Sequence, residues 1–282
     1  MMIFLGGVLF SPLGEGPFPG VLALGGAAGG LEEFRVCLLA CLLANHGFAT
    51  MSLAYFSFED LPKFLLELAL EYFEEALHYF QNLPQVRKGG VGIMGMSEGA
   101  DLALSIASFL QGVSAVACLN GNMLSQLHYR GSTMPGLGLC SDRIIIRESG
   151  VLNVCGCWDN PQAPKNQECV VPVDRASACF LLVVARDDQL WESEEYAQEI
   201  EKHLLSHGWS RPEILALPGA GHLLEPLYFP FCPTSLLKIA GIPVEWGVEQ
   251  EAHAAAQQKC WYRIREFFLE NLGKGTQRQS KL

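Results

Sequence analysis

The sequence is poor in charge, and poorest in positive charge. Charged side chains make up 17% of the 282 residues, and 19 Lys+Arg face 30 Asp+Glu for a formal net charge of −11. So acidic a surface is poorly suited to sequence-independent nucleic-acid binding, which rests on neutralising phosphates. Long apolar runs are also lacking. The longest, Val36 to Ala44, is less than half of the roughly 20 residues that a membrane-spanning helix needs, so no membrane span is expected. The N-terminal MMIFLGGVLF has no basic segment ahead of its apolar stretch and is too short for a secretory signal. No Cys-x-x-Cys occurs, and Cys155 and Cys157 are separated by a single residue, which argues against a zinc ribbon or a thioredoxin-like site. Cys37, Cys41, Cys118 and Cys179 sit inside apolar runs, where a free thiol behaves as a small hydrophobe. These absences lead to the expectation of a soluble, intracellular, reduced protein, and the serine chemistry read below calls for no metal or redox cofactor.

Hydrophobic residues make up 50% of the chain, enough to close a sizeable core. Strand-like apolar runs at Gly20–Gly25, Gly47–Ala54, Gly90–Gly95, Val113–Leu119, Ala178–Ala185 and Glu213–Leu217 alternate with helix candidates. The helices are expected at about 31–45, 64–80, 98–110, 192–206 and 251–270. In the second, Leu65, Leu68, Ala69, Tyr72, Phe73, Ala76, Tyr79 and Phe80 form one apolar face, with Glu67, Glu71, Glu74 and Glu75 largely opposite. Near-continuous apolar strands separated by helices imply a mostly parallel sheet covered on both faces, hence one α/β domain over residues 1–272. Residues 120–175 break the rhythm with a single strand-like piece, Ile144–Ile146, and read as a lid or binding insertion. The polar tail 273–282 has nothing to bury and is expected to be flexible.

Gly95-Met96-Ser97-Glu98-Gly99 matches G-x-S-x-G, with a strand running into it and a helix running out. A serine in a sharp strand-to-helix turn presents its hydroxyl above the sheet edge, and the flanking glycines leave room for the strained backbone. The hydroxyl needs a base, and the base an orienting carboxylate. In α/β-hydrolases these follow in the order serine, acid, histidine, each beyond the end of a strand. The strand Ala178–Ala185 ends in Arg186-Asp187-Asp188, and the strand Glu213–Leu217 ends in Pro218-Gly219-Ala220-Gly221-His222. His222 is therefore the candidate base. Of the two acids, Asp188 is preferred and Asp187 stays open as the alternative. His46, His78, His203 and His207 fall in or at the ends of helical segments and read as solvated, while His253 reads as a capping or packing residue.

For the oxyanion hole, the sequence offers the backbone N–H of Glu98 and one from the loop Gly25-Gly26-Ala27-Ala28-Gly29-Gly30, with Gly26 and Ala27 nearest the strand. A nucleotide cradle is disfavoured there, because no Gly-Lys-Ser/Thr follows and the spacing is not G-x-G-x-x-G.

With these residues placed, the chain resembles the C-terminal catalytic part of the acyl-CoA thioesterase / bile acid-CoA:amino acid N-acyltransferase family. The resemblance runs through Gly16-Pro17-Phe18-Pro19-Gly20, Leu53-Ala54-Tyr55, Glu59-Asp60-Leu61-Pro62 and Glu71-Tyr72-Phe73-Glu74-Glu75-Ala76. It continues through the Ser97 turn, Asp187-Asp188, the Pro218–Pro226 stretch and His253-Ala254-Ala255-Ala256-Gln257. It implies an α/β-hydrolase fold with a long insertion after that fold's sixth strand. It also implies a Ser97–Asp188–His222 triad that attacks the thioester of a fatty acyl-CoA, with coenzyme A as part of the substrate and no cofactor. The acyl chain is expected to lie in an apolar channel bordered by 120–175, with Arg87 and Lys88 as candidate cations for the coenzyme A phosphates. Relatives in the family usually carry an N-terminal β-sandwich domain, and this chain is expected to begin where that domain ends. Two departures from the usual pattern bear on activity. Glu98 stands where thioesterases of the family commonly have Lys, and the bile-acid transferases use Cys where this chain has Ser97. Acyl transfer to glycine or taurine, and a catalytically silent acyl-CoA-binding or partner-binding domain, are the alternative readings. Ser280-Lys281-Leu282 reads as an address for the peroxisomal import receptor, giving a peroxisomal matrix location with a cytoplasmic one as the alternative.

Overall fold

The computed structural model describes residues 6–27, 34–124, 127–134, 136, 138–227, 229–247 and 249–272. Strands β1 (Gly7–Phe10) and β2 (Gly20–Leu24) are followed by α1 (Phe34–Asn45), β3 (Ala49–Leu53), α2 (Leu70–Asn82), β4 (Val91–Met96), α3 (Glu98–Phe109) and β5 (Val113–Leu119). An excursion then carries the short strands β6 (Leu127–Tyr129), β7 (Ser132–Met134), β8 (Ile145–Ile146) and β9 (Leu152–Asn153). The main fold resumes with β10 (Cys179–Ala185), α4 (Ser193–Ser206) and β11 (Glu213–Leu217). A second excursion carries β12 (Thr234–Leu237) and β13 (Ile242–Glu245), and α5 (Gln250–Leu272) follows it.

Seven strands form the main sheet in the order β1-β3-β2-β4-β5-β10-β11. All neighbours are parallel except β1, which runs antiparallel to β3 at one edge. Successive strand residues point to opposite faces, and both faces are covered. Val21 and Ala23 of β2, Met94 of β4 and Leu181 and Val183 of β10 pack with α1 and α5. Leu22 and Leu24, Ile93, and Leu182 and Val184 pack with α2, α3 and α4. Burial on both faces explains why these strands read as continuous apolar runs. Gly92 in β4 makes room for α5, since a Cβ there would lie 2.6 Å from the ring of Phe268.

The expected second helix differs at its start. Leu65–Glu67 forms a separate 3-10 turn, and the chain is extended at Leu68 and Ala69 before α2 begins. The extended residues pair with the excursion: His128 of β6 donates its N–H to the Leu68 carbonyl and bridges Ala69. The buried face of α2 shifts accordingly, with Leu77 inside and Tyr79 51% exposed. The region 120–175 carries four short strands where the sequence suggests one. β8 and β9 join β12 and β13 in a small sheet of order β12-β13-β9-β8, so the two excursions form one cap. The carboxyl ends of β4, β10 and β11 share one rim of the main sheet, where the loops of open α/β sheets bind ligands.

Candidate active site

Ser97 sits between β4 and α3 at φ 55°, ψ −127°, a conformation that a non-glycine residue holds only where its surroundings impose it. They do so through two glycines. A Cβ on Gly95 would lie 2.0 Å from the Gly99 carbonyl oxygen, and one on Gly99 would lie 2.2 Å from that of Gly25. The Ser97 N–H donates to the Leu119 carbonyl at 2.9 Å, tying the turn to the end of β5.

The structure brings the three sequence candidates together. Ser97 Oγ lies 2.8 Å from His222 Nε2, and His222 Nδ1 lies 2.8 Å from Asp188 Oδ2. All three side chains are buried. Asp188 also accepts the N–H groups of Leu190 at 2.8 Å and Trp191 at 3.0 Å on Oδ1, and the Ser193 hydroxyl on Oδ2. Asp187 does not face the imidazole. Its Oδ1 accepts from Gln189 Nε2, and its N–H donates to the Ala220 carbonyl. The geometry therefore separates the two acids: Asp188 meets the imidazole, and Asp187 ties the β10 turn to the histidine loop.

Several residues that carry no motif hold the histidine in place. Asn120, fully buried at φ 48°, donates to the His222 carbonyl at 2.7 Å and accepts the Ala185 N–H at 2.8 Å, so it spans from the end of β5 to both neighbouring loops. The His222 N–H donates to the Trp246 carbonyl at 2.7 Å. The Trp246 ring stacks on the imidazole at 5.7 Å between centroids, and Trp191 approaches at 6.1 Å. His253, buried at the start of α5, accepts the Gly221 N–H on its Nδ1 at 3.3 Å and so ties the histidine loop to that helix.

An apolar cavity of about 430 Å³ opens onto Ser97 and His222. Gly26 and Ala27 line it beside Glu98. Tyr55, fully buried, donates its hydroxyl to the carbonyls of Gly25 and Gly26, each at 2.7 Å. Because N–H and C=O point opposite ways across a trans peptide, this turns the N–H groups of Gly26 and Ala27 away from Tyr55. Ala28, Gly29 and Gly30 of the same loop lie outside the described residues, as do Ser280, Lys281 and Leu282.

The cavity walls depart from expectation. Among its described lining residues only Trp158 comes from 120–175. Phe229, Ser235, Leu236, Leu237, Lys238, Ile239 and Trp246 come from the second excursion. Arg87 and Lys88 are at the wrong end of β4. The strand's six residues separate them from Ser97 by roughly 20 Å at about 3.3 Å per residue. They serve the structure there, with Lys88 donating to the Gln81 carbonyl and Arg87 to that of Leu272.

Two carboxyls stand in the first turn of α3. The positive end of a helix favours their charged forms, but burial outweighs it. Desolvation in the cavity wall pushes the half-buried Glu98 up to about 7. It also raises Asp101 well above the ordinary carboxylate range, and the nearby Glu98 adds to the rise while the Asn122 N–H opposes it. Burial pushes the Cys155 thiol, near Asp188, up to about 12, so it stays protonated and is no rival nucleophile.

A serine elbow on a mostly parallel sheet, with its acid and histidine beyond later strands, defines an α/β-hydrolase. Solved structures show the same fold: a dienelactone hydrolase-like promiscuous phosphotriesterase from metagenomic libraries superposes with a TM-score of 0.59 at 17% identity, covering 95% of this chain and 93% of that one. Within that class the chain belongs to the family described as BAAT / Acyl-CoA thioester hydrolase C terminal, which matches residues 68–274. Human "Acyl-coenzyme A thioesterase 2, mitochondrial" is 44% identical over 270 residues, covering 95% of this chain and 55% of that protein. Mouse "Peroxisomal succinyl-coenzyme A thioesterase" is 41% identical over 275 residues, covering 96% of this chain and 64% of that protein. The chain thus spans less than two thirds of the length of either relative.

Two outcomes are expected. Asp188→Asn should lower kcat on an acyl thioester on the order of 10³–10⁴-fold, while Asp187→Asn stays within about tenfold of the parent. Equal losses in steady-state assays would refute the division between the two acids. For Glu98, the unfolded chain loses its proton near the ordinary value of 4.5, whereas the fold holds it to about 7. Stability therefore falls as pH rises through that window and stays lower above it. Glu98→Gln should be more stable than the parent on the order of 2 kcal/mol at pH 8 and no different near pH 4.5. Urea melts at the two pH values check this, and an equal gain at both would contradict it.

Proposed function

We propose that this chain hydrolyses fatty acyl-CoA to free fatty acid and coenzyme A through an acyl-Ser97 intermediate. The observation that carries the reading is the unbroken Ser97–His222–Asp188 relay, with both contacts at 2.8 Å, at the floor of an apolar cavity. Family membership and the thioesterase names of its relatives support the substrate class.

In this mechanism His222 Nε2 takes the Ser97 proton as Oγ attacks the thioester carbonyl, and Asp188 stabilises the imidazolium that forms. The N–H of Glu98 and those of Gly26 and Ala27 hold the tetrahedral oxyanion. As the C–S bond breaks, the imidazolium returns its proton and coenzyme A leaves as the thiol. A water molecule, deprotonated by His222, then attacks the acyl-serine ester and releases the fatty acid. The acyl chain lies along Leu65, Leu190, Phe229, Leu236 and Ile239 of the cavity wall. Lys238 meets the coenzyme A phosphates, being the only lysine or arginine among the described lining residues. The catalytic step uses side chains and backbone N–H groups alone and calls for no cofactor.

The same acyl-enzyme could be resolved by an amine, as the transferase half of the family description suggests. Thiol release from palmitoyl-CoA should fall at least about 10³-fold in Ser97→Ala. Mass spectrometry of the products with glycine or taurine present should find only free acid. Equal thiol release by both proteins would end the acyl-serine reading, and an acyl-glycine or acyl-taurine product would replace hydrolysis with transfer.

Import into peroxisomes belongs to the same proposal. It rests on Ser280-Lys281-Leu282 matching the import tripeptide and on the peroxisomal designation of a mouse relative. A fluorescent fusion ending in this tail should form peroxisomal puncta that disperse when Leu282 is deleted. Puncta that persist after the deletion would refute recognition through the tripeptide.

A further inference from the structure

His203 and His207 stand four residues apart at the end of α4, the spacing that puts two imidazoles on one side of a helix. Asp174, in the short turn Val173–Arg175 that leads into β10, reaches the same place, and its Oδ1 lies 2.8 Å from His203 Nε2. The two rings stack with centroids 4.4 Å apart. The ligand-capable atoms of the three residues all lie within 4.8 Å of one another. We propose that Asp174, His203 and His207 form a binding site for one divalent transition-metal ion of the zinc type, separate from the serine relay.

The donor set suits such an ion, since imidazole nitrogens and a carboxylate oxygen are its usual ligands alongside water. Metal–ligand bonds of about 2.0–2.2 Å in a tetrahedron place the donor atoms about 3.4 Å apart. The 2.8 Å pair must therefore open by about 0.6 Å and the widest pair close by at most about 1.4 Å. Side chains that are partly or fully exposed can make that adjustment by small rotations, and His207 is exposed while His203 and Asp174 are half-buried.

The supporting contacts are of the kind that orient metal ligands. His207 Nδ1 lies 2.8 Å from the His203 carbonyl, which can only accept, so Nδ1 carries the proton and the ring's lone pair is on Nε2. The Trp209 indole donates to the Asp174 carbonyl at 2.8 Å and fixes the backbone that presents the carboxylate. His203 also lines a cleft of about 350 Å³ with Glu199 and Lys202, which gives water and an ion a way in. An ion held here would join the turn before β10 to the helix after it. The loop between that strand and that helix carries Asp188.

The test uses the full chain after treatment with a chelator. Titration with ZnCl₂ by calorimetry should give one site per chain, and zinc should raise the thermal midpoint. His207→Ala and Asp174→Asn should each weaken binding at least about tenfold and abolish the thermal gain. His207→Gln repeats the comparison with side-chain bulk kept, in case the alanine variant folds poorly. Ten free thiols make adventitious zinc binding the main competitor, so the cobalt(II) form is read by its visible spectrum. Bands of nitrogen and oxygen ligation, without thiolate charge transfer, are expected. Absence of binding, binding that survives the substitutions, or a thiolate band would each overturn the proposal.

Discussion

The bond between His222 Nδ1 and Asp188 joins two loops that are 34 residues apart in sequence, and the geometry of the rim depends on it. An imidazole can take a proton from Ser97 only if its other nitrogen keeps one, which requires a fixed acceptor. Asp188 is fixed because three further donors, two backbone N–H groups and the Ser193 hydroxyl, hold its oxygens in place. Those donors all come from the segment that starts α4. The relay thus depends on how β10 hands over to its helix, and charge-assisted bonds of this kind are among the stronger ones a buried site can use.

Much of this was legible in the sequence. The central parallel strands β2, β4, β5 and β10 stand out because burial on both faces makes them nearly continuous apolar runs, whereas β3 carries Thr50 and Ser52 and the edge strand β11 is mostly half-buried. The Ser97 elbow announced itself because its backbone demands glycine at 95 and 99. β1 does not stand out because Val8, Leu9 and Phe10 are too short an apolar run, within an apolar N-terminal stretch, to mark a strand of its own. Asn120 was missed because its value lies in reaching two other loops from a left-handed backbone, and no local pattern encodes that. Tyr55 appeared only as part of a family resemblance, yet its hydroxyl sets the carbonyls of the glycine loop. The sequence favours Asp188 but leaves Asp187 open, since both follow the same strand and only the fold turns one side chain towards the imidazole.

The cavity was the least legible part. The sequence points to 120–175 because that stretch is long and irregular, but it supplies only Trp158 among the described lining residues, and 229–246 supplies the largest share. There β12 alternates exposed and half-buried residues, so neither a core strand nor a loop signature emerges. Glu98 brings an uncommon feature into that wall, a carboxyl that burial keeps neutral until about pH 7 beside a serine expected to attack a polyanionic substrate. Its neutrality reconciles a mostly apolar lining with an acidic residue at the first position of α3.

Trp246 and Gly247 close the hairpin that lines the cavity, and they also seat the base. The Trp246 carbonyl accepts the His222 N–H, and a Cβ on Gly247 would lie 1.6 Å from the Asp187 carbonyl. Replacing this hairpin as a whole would therefore move the His222 imidazole along with the pocket wall. Side-chain exchange on the retained backbone would reshape the wall and leave the His222 anchor in place, because that anchor is a backbone carbonyl.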